Sequence, residues 1–384
     1  MQKLAVKEKC NGCHACYNIC PKNAIIMEEN KKGFKYPKID EEKCIDCGLC
    51  SKVCPIINNI KENIFDRQAY ACINKNEYDR SKSSSGGVFV LLAKEIIKEK
   101  GIVYGAIFDD EFKVIHHRIT KEHEIEKLMG SKYVQSNIGE IYKTVKKDLS
   151  KKVKVLFTGT PCQIEGLKKY LMKEYENLYT QDIICHGVPS PLVWEKYKEY
   201  RKEFDNQSPT KISFRNKDNG WHLFNLKFLY KKEVYKKSQH EDLFMQAFLK
   251  NTILRDSCYN CNVKKISRVS DITLADYWGI EKIHPELDDD KGVSAVIIQS
   301  QKGKALFDKI KDNLIYEQTN IEDINKYNQS LTKSVKADPN REKFFKNIDK
   351  YDFETLVNKY TYKDNIVRKI LRKIKKIIKY IIKH

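Results

Sequence analysis

The sequence predicts an α+β chain in three parts: a small cysteine-rich domain, a larger mixed α/β body and a C-terminal amphipathic helix. Three observations predict it. Two runs of four cysteines lie within the first 55 residues, and strand-like and helix-like segments alternate after residue 60. The last twenty residues then repeat apolar positions at helical spacing between lysines. The expected boundaries are 1–60 for the cysteine domain, 65–150 and 151–315 for two regions of the body, and 316–384 for a helical basic tail. A chain of 384 residues exceeds what one hydrophobic core usually covers, so more than one domain is expected.

The first run, CNGCHACYNICP, carries Cys10, Cys13, Cys16 and Cys20. The second, CIDCGLCSKVCP, carries Cys44, Cys47, Cys50 and Cys54. Both read C-x2-C-x2-C-x3-C-P, the spacing of two-cluster bacterial ferredoxins, in which the fourth cysteine of each run serves the other cluster. Cys10, Cys13, Cys16 and Cys54 are therefore expected to hold one 4Fe–4S cluster, and Cys44, Cys47, Cys50 and Cys20 a second. Zinc knuckles compete, but zinc needs only four ligands, and eight repeat here in a cluster-type pattern. Gly12 and Gly48 suit a backbone that approaches sulfur closely. A ferredoxin alone would end near Pro55, so the domain reads as the intake of something larger.

In the body, SSSGGVFVLLAKEIIKEKG reads as a helix with apolar positions at Val88, Phe89, Leu91, Leu92, Ile96 and Ile97, closed by Gly101. GIVYGAIF (101–108) reads as a buried strand. VKVLFTGTPCQIEGLKKYL gives strand, turn and helix, and LYTQDIIC (178–185) the next strand, together a βαβ unit. Further strands are expected near 210–215, 222–230, 271–276 and 293–299. Two turns, Ser83–Gly87 and Thr158–Thr160, open onto helices, where free N–H groups attract phosphate; ordinary N-capping by Ser or Thr competes.

Five cysteines remain. Cys72, in AYACIN, reads as a small buried hydrophobe. Cys258 and Cys261 form a tight CYNC pair, Cys162 enters a helix, and Cys185 ends the next strand. Neighbouring strand ends converge at the carboxyl edge of an open sheet, so these four could share a site. A third 4Fe–4S cluster, a structural zinc, or a low-pKa thiol at Cys162 all fit this pattern.

The ordered set SSSGGVF, GIVYGAIFD, GSKYVQS, LFTGTPCQIEGLKKYL, DIICHGVPSP, FRNKDNGWH, RDSCYNC and DITLADYWGI resembles the coenzyme F-420 hydrogenase/dehydrogenase beta subunit family, in the form preceded by a two-cluster ferredoxin domain. The resemblance covers roughly residues 1–300. It implies a flavin-binding body with FAD, contacted by Ser85, Gly86, Gly87, Ser131 and Lys132. It also implies a third cluster on Cys162, Cys185, Cys258 and Cys261. Lys132 and His186 are the expected catalytic residues, Lys132 as a cation facing the flavin and His186 as a proton relay. A solvated lysine and a histidine satisfied by nearby backbone are the competing readings. Arg215, Trp221 and His222 are expected to line a substrate cleft, with Arg215 meeting an anionic group; Trp221 and Trp278 otherwise read as core or wall residues.

Clusters move one electron and organic substrates usually take two, so a flavin is the natural converter between them. The expected activity is an FAD- and iron–sulfur-dependent oxidoreductase linking a ferredoxin-like partner to a coenzyme F-420-like deazaflavin or another organic two-electron substrate, in either direction. A non-enzymatic electron-transfer subunit is the alternative. The start, MQKLAVKEKC, lacks an export signal pattern, and thirteen cysteines point to metal rather than disulfides, so the cytoplasm is expected. The formal charge of +20 comes largely from lysines scattered over solvated faces. Residues 363–384 differ: nine basic residues stand against Asp364 on a helical stripe. This tail either docks on the body or lies on an anionic membrane surface, at the inner face of the membrane. Nucleic acid is not expected as a partner, because the tail offers no reading motif.

Overall fold

The structure, a computed structural model, describes residues 4–60, 64–205 and 207–361. The basic stretch 363–384 lies outside the described residues. No described helix is long and apolar enough to cross a membrane.

The α+β expectation holds. A two-stranded hairpin, β1 (Ile25–Glu29) with β2 (Lys35–Ile39), joins the two cysteine runs. The body is built on one eight-stranded mixed sheet. Its order is β13 (Leu314–Thr319), β3 (Ala69–Asn74), β12 (Ser294–Ile298), β11 (Ile272–Asp276), β7 (Leu178–Ile183), β6 (Val155–Thr158), β4 (Ile102–Phe108), β5 (Val114–Ile119). The four central strands β11, β7, β6 and β4 run parallel, and antiparallel strands close both edges. A smaller antiparallel sheet, β8 (Lys211–Asn216), β9 (Asn225–Leu229) and β10 (Val234–Ser238), stands beside it.

The strands form where the sequence is continuously apolar. β12, SAVII, and β3, AYACIN, are buried at every position, as strands covered on both faces must be. Cys72 is a fully buried member of β3, as its apolar setting suggests. The expected βαβ unit is β6, the helix Pro161–Leu171 and β7, with β6 and β7 adjacent and parallel. The strand expected at 222–230 is shorter, at 225–229, because Trp221 and His222 turn their amides to the Asp290 carboxylate instead of a ladder partner.

Helix Val88–Lys98 covers one face of the large sheet with Val88, Leu91, Leu92 and Ile96. Helices Ile141–Ser150 and Pro161–Leu171 cover the other. The N-terminal domain seals that second layer: Ala15 and Val53, both buried, pack with Ile164 and Leu167. Both cysteine runs take left-handed backbone at their third and fifth residues, Gly12 and His14 in the first, Asp46 and Gly48 in the second. The sequence repeat is thus a backbone repeat. The close neighbour of Gly12 is the Arg255 guanidinium rather than sulfur: a Cβ there would fall 2.8 Å from Nη1.

Gly166 sets the domain spacing. A Cβ on it would lie 2.7 Å from Cys13 Cβ and 3.0 Å from Tyr142 Oη, so only a bare backbone lets the helix approach the first cysteine run. Gly166→Leu is expected to lower stability by about 1–3 kcal/mol through overpacking, and to deplete iron from the N-terminal domain, read by thermal unfolding and iron analysis.

Candidate redox centre

The fold gathers twelve cysteines into three groups. Burial raises the Cys13 thiol to about 12, with Cys10 and Cys54 close enough to add to the effect. Burial also raises Cys16 well above its ordinary value, again with Cys13, Cys10 and Cys54 as neighbours. The fourth cysteine of the second run therefore stands with the first three of the first run. The reciprocal exchange is present too: Cys20, Cys44, Cys47 and Cys50 line one small cavity. In that group Cys47 is exposed and Cys50 buried.

The third group forms at the carboxyl edge of the parallel strands. Cys162 follows β6 in the first turn of its helix, and Cys185 follows β7. The turn Asp256–Asn260 with Cys261 brings the CYNC pair against them, and all four line one cavity. Burial raises Cys185 to about 11 and Cys258 to about 12. Thiols so deep stay protonated unless a cation compensates them, which suits a metal-bound thiolate. Val188 N donates to Cys258 Sγ at 3.4 Å, and the Thr160 hydroxyl lies 3.2 Å from Cys162 Sγ. A single tetrahedral zinc would draw its sulfurs to roughly 3.8 Å from one another. Among the described residues no three cysteine sulfurs lie within 4.8 Å of one another.

Beside the third group opens a cavity of about 740 Å³, within the range of small-molecule sites. Ser85, Gly87, Ser131, Lys132 and His186 all line it, as do Arg215, His222 and Trp278. Gly86 does not. Its Cβ would fall 2.2 Å from Cys72 O and 2.7 Å from Ser294 N, so its role is close packing of the turn onto β3 and β12. Trp221 is buried core, stacked on Trp278 at 4.8 Å with the rings 9° apart. Thr160, Cys185, Gly187 and Val188 line both the four-cysteine cavity and the large one. One strand end and one helix start are all that separate the two.

Residues 152–324 match the family described as the C terminus of the coenzyme F420 hydrogenase/dehydrogenase beta subunit, and residues 9–57 match the 4Fe–4S dicluster domain. The chain carries a 4Fe–4S dicluster domain ahead of an F420 hydrogenase/dehydrogenase beta subunit domain. A curated relative is the coenzyme F420-dependent sulfite reductase of Methanocaldococcus jannaschii, 25% identical over 343 residues. The match covers 86% of this chain and 50% of that protein, so the chain spans about half the length of its relative. A chain in the structure of the F420-reducing [NiFe] hydrogenase complex from Methanosarcina barkeri aligns with a TM-score of 0.45 and 16% identity, over 78% of this chain and 91% of that one.

The dicluster match contains all eight N-terminal cysteines, and the beta subunit match contains the other four of the third group. In the cavity wall, Ser84 ties two motifs together. Its Oγ accepts Ser131 N at 2.7 Å and lies 3.0 Å from Ser131 Oγ, so SSSGGVF and GSKYVQS form one surface. The Ser85 hydroxyl is spent on Val293 O. Lys132 Nζ donates to the carbonyls of Met129 at 3.0 Å and Gly130 at 3.2 Å, and burial pushes it down to about 7. His186 is satisfied by a side chain rather than backbone, its Nε2 lying 2.6 Å from Asn251 Oδ1. Burial lowers its pKa as well.

Sequence reasoning missed His116 and Gln163. His116 is buried, stacks on Phe157, and lies 3.0 Å from Thr158 O and 2.9 Å from Ser136 Oγ. Gln163 donates to the same Ser136 and accepts from Thr160 N, linking the cavity wall to the helix start that carries Cys162. Nothing in the motif string marks His116; it lies in an alternating strand, VIHHRI, whose pairing alone decides which histidine faces inward.

The Lys132 shift sets a pH dependence. An unfolded lysine keeps its proton until about pH 10.5, whereas the folded one releases it near 7. Between these values the unfolded chain binds more protons, so the folded state gains as pH rises. Denaturation midpoints of the wild type should therefore climb relative to Lys132→Met between pH 7 and 10. A constant difference would show that Lys132 is not held in this environment.

Proposed function

We propose that the chain passes electrons from a one-electron carrier through two N-terminal 4Fe–4S centres and a third on Cys162, Cys185, Cys258 and Cys261 to FAD in the large cavity. The electrons then go to an organic two-electron acceptor of the F420 deazaflavin class, or follow the reverse course. The observation that carries this reading is the wall shared by the two cavities, Thr160, Cys185, Gly187 and Val188. A metal centre and a planar organic group on either side of one strand end would sit close enough for fast transfer. A bound flavin would supply the exchange between one-electron and two-electron chemistry.

The residues fit such a group. Helix Val88–Lys98 begins after Gly87 with no side-chain cap, and Gly87, Val88 and Phe89 line the cavity, so this helix start is suited to a phosphate. Lys132 is a half-buried cation that donates to backbone carbonyls, so it can meet an anionic oxygen or, near neutral pH, exchange a proton. Arg215 is buried, donates to Asp276 Oδ1 at 2.9 Å and leaves its Nε without a partner in the cavity wall. Trp278 offers a flat face beside it, and its stacking on Trp221 fixes that face. His186, oriented by Asn251, lines the cavity next to Cys185 and is the residue suited to move a proton.

A second reading makes the chain the electron-transfer partner of a separate catalytic subunit rather than an enzyme in itself. Anaerobically purified protein should contain about twelve irons and one FAD. About eight irons with no flavin would sink the proposal. Cys185→Ala should hold about eight irons, keep FAD, and lose reduction of the flavin by reduced ferredoxin. Turnover by the isolated chain with a deazaflavin separates enzyme from subunit.

A further inference from the structure

Arg255 is 1% exposed, yet among the described residues it pairs with no carboxylate. The acid beside it, Asp256, is taken by Lys32 and Arg341. Instead its guanidinium is spread over the junction of the two domains. Nε donates to Cys10 O at 2.7 Å, Nη1 to Gln135 Oε1 at 3.0 Å and Nη2 to Lys35 O at 3.0 Å. Nη2 also points at Cys10 Sγ from 3.9 Å. The plane lies over Tyr36, 4.2 Å from the ring centroid. Its other side lines the cavity of the third cysteine group, where it favours the thiolate of Cys258. One buried positive charge thus faces two cysteine groups from the space between them.

A cation without a counter-ion in a dry site is costly unless negative charge comes to it. Oxidised and reduced cubanes with four thiolates are both anionic, and each added electron deepens that charge. We propose that Arg255 is a positioning and tuning residue: it raises the reduction potentials of the Cys10 centre and of the Cys258 centre above that of the Cys44 centre. Cys47, in the Cys44 group, is exposed, whereas Arg255 sits on the inner side of the domain. An electron delivered by a one-electron carrier to the outer group is then drawn inward, oxidising the Cys44 centre as the Cys10 centre is reduced. Gly12 belongs to the same device, since any side chain there would displace the guanidinium.

The inference rests on the proposed wiring, and the experiment separates the two. Iron analysis and anaerobic EPR-monitored titration of the wild type come first. Fewer than two N-terminal centres overturns the wiring itself. In Arg255→Gln the Cys10 centre should show at least a tenfold lower ratio of reduced to oxidised form at fixed solution potential, about 59 mV for a one-electron couple. The Cys44 centre, identified as the signal lost in Cys47→Ala, should move least. Arg255→Lys should restore most of the difference, which a purely structural role would not do. Gln135→Glu places a carboxylate against Nη1 without removing the arginine, and should lower the same centre. Equal shifts of both N-terminal centres, or none with iron content intact, would overturn the proposal. If Arg255→Gln does not assemble, an unshifted Cys10 centre in Gln135→Glu overturns it alone.

Discussion

Burial of the helix Pro161–Leu171 on nearly every side is the constraint on which the other features depend. Its first turn carries Cys162 to the third cysteine group, and Gln163 reaches the wall of the large cavity. Ile164 and Leu167 face the core shared with the N-terminal domain, and Gly166 lets Cys13 come within contact. The helix has a capping box at Thr160 and Gln163 and a proline at its start, so its N-terminus is fixed where the sulfurs need it. A shift of this one element would move two cysteine groups and the cavity together.

Electrostatics then divides the molecule into an inner and an outer part. Buried thiols at Cys13, Cys16, Cys185 and Cys258 resist ionisation, chiefly through desolvation. Cations answer them: Arg255 between the groups, and Lys264 and Arg268 near Cys185 and Cys261. Arg268 is itself buried against Asp182 and the carbonyl of Ile183, which fixes the end of β7 just before Cys185. The same strand end therefore serves the sheet, the cysteine group and the cavity wall. Domain regions drawn from the sequence at 150/151 and 315/316 do not correspond to separate sheets. β4 and β6 on either side of the first are hydrogen-bonded, and the second falls inside β13.

Legibility followed the strength of local signals. The parallel strands were readable because they are short, apolar and bounded by turns. β5, β10 and β13 were not, because edge strands that mix apolar residues with charged and polar ones look like any solvated segment until a neighbour pairs with them. Five of the six expected non-metal site residues line one cavity, and Gly86 stands just behind it. His116 escaped notice, since a histidine beside another carries no distinguishing pattern.

By itself the sequence determined the cysteine repeat, the exchange of Cys20 and Cys54 between groups, and the helix and strand that bring Cys162 and Cys185 together. These are consequences of spacing, which a local backbone must obey. Only the tertiary structure decided that the N-terminal domain docks on the Cys162 helix through Gly166. It alone decided that the third cysteine group shares a wall with a large cavity, and that Arg255 meets Cys10, 245 residues away in the chain. Spacing specifies what a segment can ligate, whereas the choice of neighbour depends on which apolar faces meet when the sheet closes.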